Sequence, residues 1–235
     1  MKPIETALLS FGMSGRVFHA PFIQLHPGFN LQGSWERSKK NIENAYPGTS
    51  SYDSMEAVLA DPSIELVIVN TPIYSHFEYA KAALKAGKHI VVEKAFTSNA
   101  SEAQQLVDLA KEVGKLIFVY HNRRWDSDFL TVKKVYDSGQ LGDIVEAEFH
   151  FDRYNGAKSP KMHKELPGPG AGIIYDLGPH IIDQALYLFE KPTHVFAEVE
   201  RLLVMEFGRE WSGYAQTRVR VEHDVRVKVA ATGSL

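Results

Sequence analysis

The chain has 235 residues, of which 44% are hydrophobic, and this is enough to bury a core in one large domain or in two smaller ones. Its 26 basic and 29 acidic residues give a formal net charge of −3, which excludes the broad positive field that attracts nucleic acid or anionic membranes. The absence of cysteine excludes disulfides, thiolate nucleophiles and Cys-ligated metals.

The first half of the chain alternates short apolar runs with segments of helical period. We predict strands at Thr6 to Phe11, Asn30 to Trp35, Leu66 to Asn70, His89 to Val92 and Leu116 to Tyr120. Between them, SHFEYAKAALKAG and NASEAQQLVDLAKEVG place Ala, Leu and Val at helical intervals, and each ends at a glycine suited to a C-cap. This alternation predicts an α/β fold with a doubly wound parallel sheet in residues 1–122.

The pattern changes after Trp125. We predict a helix through Tyr136, a strand around Ile144 to Phe151, a Pro- and Gly-rich loop from Gly156 to Gly172, and a helix to about Phe189. VRVEHDVRVKV then predicts two strands about a tight turn near His223 and Asp224. We therefore expect a second, α+β domain in residues 123–235 with a mostly antiparallel open sheet. Because the chain stops at ATGSL directly after a strand, we expect this domain to be incomplete.

A glycine-containing turn follows the first predicted strand and comprises Ser10, Gly12, Met13, Ser14 and Gly15. Gly12 and Gly15 occupy the second and third positions of the dinucleotide-binding pattern GxGxxG, and Ser10 replaces the first glycine. Such a turn lets backbone amides approach a pyrophosphate at a helix N-terminus. An ordinary strand-to-helix turn would explain the two glycines alone, but the surrounding alternation of strands and helices favours a Rossmann coenzyme site.

The second predicted strand ends in Glu36, Arg37, Ser38 and Lys39, about 20 residues beyond the glycine turn. Glu36 suits the ribose hydroxyls of NAD, whereas Arg37 and Ser38 suit the 2′-phosphate of NADP. A solvated loop would also contain such charges. Both coenzymes remain candidates, and the charges favour NADP.

Four further segments resemble, in the same order, the Gfo/Idh/MocA family of nicotinamide-dependent oxidoreductases. They are NTPIYSH at 70–76, EKA at 93–95, HNRRWD at 121–126 and DLGPH at 176–180. The resemblance runs from about Ile4 to near Glu198 and is closest to the YdgJ/YvaA-like branch of sugar or inositol dehydrogenases. It implies a Rossmann domain followed by an α+β catalytic domain.

The resemblance also implies that Thr71, Pro72, His76 and Glu93 line the coenzyme site. Pro72 ends a strand and cannot donate to the sheet, so Thr71 is left at the carboxyl edge where ligands bind. For His76, an alternative is that it only caps the next helix.

Lys94, Asp176 and His180 are the catalytic candidates that the resemblance implies, and the same three residues are also candidates for substrate binding. An ammonium group polarises a carbonyl, and Ala95 stands where the family usually has proline. Asp176 and His180 are four residues apart and share a face if one helix carries both, where a carboxylate can orient the imidazole. A capped helix with a buried histidine is the structural alternative.

The remaining substrate-binding candidates are Asn122, Arg123, Trp125 and Tyr154. Their amide, basic and aromatic groups suit a polyhydroxy ligand. The alternative is a hinge in which Trp125 lies in the core and the arginines form ion pairs.

We therefore expect an NAD(P)-dependent oxidoreductase that acts on a secondary alcohol or ketone of a sugar, polyol or related small molecule. The competing expectation is a coenzyme-binding sensor or remnant without catalysis. We expect no metal, because HExxH is absent and the histidines are scattered. A cytoplasmic location, no membrane or nucleic-acid partner, and a homodimer through the second sheet complete the expectation.

Overall fold

The computed structural model describes residues 2–36, 40–151, 166, 168–202, 205–206, 209–210, 214–222 and 226–234. The chain divides into two compact units, Met1–Tyr120 and His121–Leu235. No helix in these described ranges has the length and apolarity needed to cross a membrane.

The first unit is built on a six-stranded sheet with the order β3-β2-β1-β4-β5-β6. Its strands are Ile4–Leu8 (β1), Phe29–Trp35 (β2), Ser50–Tyr52 (β3), Leu66–Val69 (β4), His89–Glu93 (β5) and Ile117–Tyr120 (β6). Every neighbouring pair is parallel. The predicted doubly wound parallel sheet is therefore confirmed. The short strand β3 was not among the five predicted runs, because its sequence SSY has no apolar pattern.

The helices of the first unit follow the strands in the expected alternation. A π-helical turn at Gly15–His19 leads into Ala20–Leu25 (α1), and the others are Asn41–Ala45 (α2), Met55–Ala60 (α3), His76–Lys85 (α4) and Ala100–Glu112 (α5). Asn99 caps α5 by accepting a hydrogen bond from Glu102 N at 3.0 Å. Beyond α4 and α5, Gly87 and Gly114 adopt φ of 74° and 64°, the left-handed conformation of a C-cap glycine.

The central strand β4 is buried on both faces, as a parallel sheet covered by helices requires. Val67 and Val69 belong to one apolar cluster, and Leu66 and Ile68 belong to the other. The strand order reverses between β1 and β4, and in open α/β sheets the ligand crevice lies at the carboxyl ends of the strands at this point. The fold thus brings the residues after β1 and β4 to one edge.

The second unit contains a four-stranded sheet with the order β7-β12-β11-β8. Its strands are Glu146–Phe151 (β7), His194–Leu202 (β8), Tyr214–Glu222 (β11) and Arg226–Ser234 (β12), and the short strands Met205–Glu206 (β9) and Arg209–Glu210 (β10) form a separate pair. β8, β11 and β12 pair antiparallel, whereas β7 joins β12 in parallel. The predicted α+β class and mostly antiparallel sheet are confirmed; the predicted turn at 223–224 lies outside the described residues.

In the part of the second unit that the structure describes, the helices are Ser127–Asp137 (α6), Ile173–Asp176 (α7) and Gly178–Phe189 (α8). Ile181 and Ala185 of α8 are buried in an apolar cluster against which Phe149 and Phe151 of β7 pack. Most of the predicted loop from 156 to 172 lies outside the described residues.

Candidate functional site

Two glycines shape the turn after β1, and they differ in the space around them. A Cβ on Gly15 would lie 2.4 Å from the backbone oxygen of Ser10, so only glycine permits this close approach. A Cβ on Gly12 would meet only the Ser10 hydroxyl oxygen, at 3.3 Å. Met13 is exposed, and Arg16 N donates to Gly12 O at 3.0 Å as the helical segment begins. The backbone at Gly12 is therefore open, whereas the backbone at Gly15 is tightly packed against Ser10.

Asn70, the residue after β4, ties this turn to the sheet. Its side chain is buried, and Nδ2 donates to Ser10 O at 2.7 Å. Its Oδ1 is buried and has no hydrogen-bond partner within the described parts of the chain. Asn70 was quoted in the NTPIYSH segment but was not among the predicted site residues. A glycine turn with an open backbone at the switch point, beside an unpaired buried acceptor, fits a dinucleotide pyrophosphate and ribose.

The segment after Asn70 forms a compact hydrogen-bonded turn. Ser75 Oγ donates to Pro72 O at 2.7 Å, so the 2.8 Å contact between Thr71 Oγ1 and Ser75 Oγ is a bond that Thr71 donates. Pro72 precedes a 3-10 turn at Ile73–Ser75. Thr71 is thus held in a fixed orientation at the carboxyl edge of the sheet.

His76 is completely buried and connects two loops. Its Nδ1 lies 2.8 Å from Ala95 O, and its Nε2 lies 2.8 Å from Thr71 O. Burial lowers the pKa of His76 despite the two carbonyl oxygens, so the ring is neutral near pH 7 and donates to one carbonyl at a time. The structure gives His76 a role in joining the loops after β4 and β5, and its ring has no exposed surface for a ligand.

At the end of β5, Glu93 and Lys94 occupy the carboxyl edge next to β4. Glu93 Oε1 contacts the Nε2 atom of His19 at 2.9 Å, and Lys94 N donates to Glu93 Oε2 at 3.2 Å. The peptide bond between Lys94 and Ala95 is cis. Both oxygens of the Glu93 carboxylate are therefore engaged by the protein, and Glu93 supports the segment that carries Lys94.

His19 is a second residue of this site, besides Asn70, that the sequence did not predict. It ends the π-helical turn that follows the glycine turn, and its ring packs on Tyr120 with 4.3 Å between the ring centres. Tyr120 donates its hydroxyl to Phe18 O at 2.7 Å, and burial together with the charge of Glu93 raises the pKa of Tyr120. A π-helical turn shifts side chains off the α-helical period, so the sequence pattern does not show which face His19 occupies.

The residues after β2 are described only in part. Glu36 Oε1 accepts a hydrogen bond from Ile42 N at 2.9 Å and so satisfies an amide at the start of α2. Arg37 and Ser38, the predicted 2′-phosphate ligands, lie outside the described residues.

In the second unit, Asp176 and His180 do not share one continuous helix. Asp176 ends α7, Leu177 interrupts the helix, and α8 begins at Gly178. Pro179 has no N–H to donate to the carbonyl four residues earlier, which explains the break and corrects the expectation of a single helix. His180 is buried, whereas Asp176 is half-buried.

The HNRRWD segment is anchored to α8 by a two-pronged ion pair. Arg124 donates to both oxygens of Asp183, at 2.6 and 2.7 Å, and His121 Nε2 lies 3.7 Å from the same carboxylate. Arg123 pairs with Asp126 at 2.8 Å. Both arginines thus form ion pairs, as the interpretation of this segment as a hinge predicted.

Trp125 does not match the hinge alternative, because it is 75% exposed and so does not belong to the core of the unit. Asn122 begins the 3-10 turn Asn122–Trp125 and is half-buried. Tyr154 lies outside the described residues.

The predicted residues therefore form two groups, one in each unit. The carboxyl edge of the first sheet carries the glycine turn, Thr71, Pro72, Glu93 and Lys94. The second unit carries Asp176 and His180 at the start of α8, together with the HNRRWD segment that Asp183 holds.

Comparisons with known proteins agree with both units. The profile of "Oxidoreductase family, NAD-binding Rossmann fold" matches residues 4–121, and that of "GFO/IDH/MocA C-terminal domain" matches residues 129–234. The chain is similar in structure to YvaA of Bacillus subtilis, with a TM-score of 0.85 and 33% identity, covering 100% of this chain and 64% of that one.

Curated relatives are similar over most of the chain. An uncharacterized oxidoreductase of Schizosaccharomyces pombe is 45% identical over 205 residues, covering 85% of this chain and 56% of the relative. The scyllo-inositol 2-dehydrogenase (NADP(+)) IolW of Bacillus subtilis is 40% identical over 196 residues, covering 83% of this chain and 54% of IolW. The chain thus spans little more than half the length of these relatives. On its two matching domains and these relatives, the chain belongs to the Gfo/Idh/MocA family of oxidoreductases.

Proposed function

We propose that the chain carries out the reversible oxidation of a secondary alcohol on a sugar, polyol or related small molecule with a nicotinamide coenzyme. The observation that carries this proposal is the glycine turn joined to Asn70 at the switch point of the sheet, with Lys94 two strands from β1 at the same edge. The coenzyme, when bound, supplies the group that accepts or returns the hydride. The turn from Ser10 to Gly15 would hold its pyrophosphate.

The proton chemistry is assigned to the protein. His180 takes the proton of the substrate hydroxyl, and Lys94 and Asp176 position and polarise the oxygen. His180 is buried, and a group shielded from water interacts more strongly with a nearby charge. Trp125 offers an exposed aromatic surface in the second unit, and Asn122, Arg123 and Tyr154 supply further contacts to hydroxyl groups.

The coenzyme proposed is NADP. The side chain of Glu36 is used at the start of α2, which favours Arg37 and Ser38 as the groups that recognise the adenosine ribose. The printed name of IolW, a relative at 40% identity, includes NADP(+). We expect Arg37→Ala to reduce kcat/KM for NADP about tenfold or more while changing that for NAD little, because a charge-assisted hydrogen bond to phosphate is lost. Steady-state kinetics with both coenzymes measures this, and an equal loss for both would contradict it.

The assignment of the catalytic groups is tested with Lys94→Ala and His180→Ala. We expect each to lower kcat at least about a hundredfold, the usual contribution of a general acid or base, while the dissociation constant for NADPH stays within about twofold. Lys111→Ala and His150→Ala are matched controls, because both positions are exposed and outside the site. Unchanged kcat in the two site variants would contradict the assignment.

A non-catalytic coenzyme-binding protein is the competing function. It predicts that NADPH binds to the wild-type chain but that no member of a sugar and polyol panel, scyllo-inositol included, is turned over.

A further inference from the structure

A buried histidine–carboxylate pair lies beneath the segment that carries Lys94. His19 Nε2 and Glu93 Oε1 are 2.9 Å apart, and their side chains are only 3% and 13% exposed. A carboxylate that is shielded from water depends on a few specific hydrogen-bond donors. The loss of one donor leaves its buried negative charge poorly compensated.

The second oxygen of Glu93 contacts the backbone of Lys94. Lys94 N donates to Glu93 Oε2 at 3.2 Å, so one carboxylate bridges the ring of His19 and the first residue after β5. A side chain held by His19 thereby fixes a peptide unit next to the proposed catalytic lysine.

His19 is itself held from the other side. Its ring packs on Tyr120, and the Tyr120 hydroxyl donates to the carbonyl oxygen of Phe18, the residue before His19. Tyr120 ends β6. The network therefore joins the ends of β5 and β6 to the π-helical turn Gly15–His19, whose first residue belongs to the glycine turn.

We propose that His19 is a positioning residue that acts on Lys94 through Glu93, and that it links the glycine turn to the lysine. His19 lies four residues beyond Gly15 in one helical segment, so the orientation of that segment sets the position of the Glu93 carboxylate. This inference rests on the proposed function for the role of Lys94 in turnover, but the network itself is testable in the coenzyme-free chain.

The first measurement is hydrogen exchange at the Lys94 amide, followed by NMR in the free chain. His19→Phe keeps a ring against Tyr120 but removes the bond to Glu93, and we expect exchange at Lys94 to accelerate about tenfold or more. Glu93→Ala should have the same effect. His19→Gln, whose amide nitrogen can replace Nε2, should restore most of the protection.

Ile23→Ala is the matched control for simple loosening of this helical segment. Ile23 is buried in α1, one turn beyond His19, and it packs in an apolar cluster away from Glu93. The proposal would be overturned if His19→Phe left exchange at the Lys94 amide unchanged. It would also be overturned if Ile23→Ala accelerated this exchange as much as His19→Phe does.

The second measurement is turnover. We expect His19→Phe to lower kcat about tenfold while KM for the coenzyme stays within about twofold. In a Lys94→Ala background it should lower kcat no further, because the effects of substitutions at coupled residues are not additive. A full additional loss in that background would also overturn the proposal. If the wild-type chain shows no turnover, the proposed function fails, whereas the exchange measurement still decides this inference.

Discussion

Gly12 and Gly15 lie three residues apart in the same turn, yet they differ in the space around them. Gly15→Ala would place a methyl group 2.4 Å from Ser10 O, so the backbone must shift. We expect a loss of about 1–3 kcal/mol in the free energy of unfolding, the usual effect of overpacking. Gly12→Ala meets only a rotatable hydroxyl, so stability should change by less than about 0.5 kcal/mol while NADPH affinity falls.

Urea unfolding and NADPH fluorescence titration separate the two effects. If both glycine variants lose stability equally and bind NADPH normally, the two glycines do not have the different roles assigned to them.

His76 makes the stability of the chain depend on pH. Burial lowers the pKa of His76 below its ordinary value of 6.5, so the unfolded chain takes up a proton that the folded chain resists. The stability that the neutral His76 contributes is present above pH 6.5 and is lost as the pH falls below this value. The free energy of unfolding then decreases by at most about 1.4 kcal/mol per pH unit. Urea unfolding at several pH values should therefore show a shallower acid loss for His76→Gln than for the wild type. Parallel curves would contradict a neutral buried His76.

At the residue scale, the sequence revealed the residues that belong to motifs but not their partners. The glycine turn and EKA could be recognised because each has a fixed local spacing. His19 contacts Glu93 across 74 positions of the chain, and no local pattern shows such a pair. Asn70 stood within a recognised segment, but its bond to Ser10 across 60 positions depends on the sheet order.

At the scale of elements, the helices with clear periods could be predicted and the short or interrupted ones could not. α4 and α5 have amphipathic patterns and C-cap glycines, and both were expected. β3 has only three residues, two of them serines, so it depends on pairing with β2 rather than on its own pattern. The break between α7 and α8 follows from Pro179, and the four-residue spacing of Asp176 and His180 does not by itself show this break.

The ion pair between Arg124 and Asp183 fixes one element against another, and its loss should be costly. Asp183 is 10% exposed at its side chain, so Asp183→Ala removes a buried partner from Arg124. We expect the free energy of unfolding to fall by about 1–3 kcal/mol, less than for a fully buried pair because Arg124 is partly exposed. Lys133→Ala, which breaks the surface pair with Asp137 on α6, is the control and should change stability little.

Equal effects of Asp183→Ala and Lys133→Ala in urea unfolding would show that the Arg124–Asp183 pair has no special structural role.

At the scale of the whole molecule, we expect the chain to self-associate through the open sheet of the second unit. β7 and β8 lie at its two edges, and in the described residues each pairs with one neighbour only. Unpaired edges are templates for pairing with another chain, so we propose a homodimer through this sheet. Sedimentation velocity should show a dimer whose fraction grows with concentration, and a monomer at every concentration would contradict it.

The two-unit architecture could be predicted from the change of pattern after Trp125, because a parallel and an antiparallel sheet leave different periodicities. The parallel pairing of β7 with β12 could not be predicted, since the two strands are far apart in sequence and neither pattern specifies a neighbour.

We propose that this chain transfers hydride between nicotinamide and a secondary alcohol with the help of Lys94 and His180. The most direct measurement uses NADP with scyllo-inositol and other polyols that carry deuterium at the carbinol carbon, followed by analysis of the coenzyme by NMR. We predict that deuterium appears at C4 of the nicotinamide with the wild-type chain, and that it appears there at least about a hundredfold more slowly with Lys94→Ala. NADPH binding without deuterium transfer from any member of the panel would contradict the claim and would favour the non-catalytic alternative.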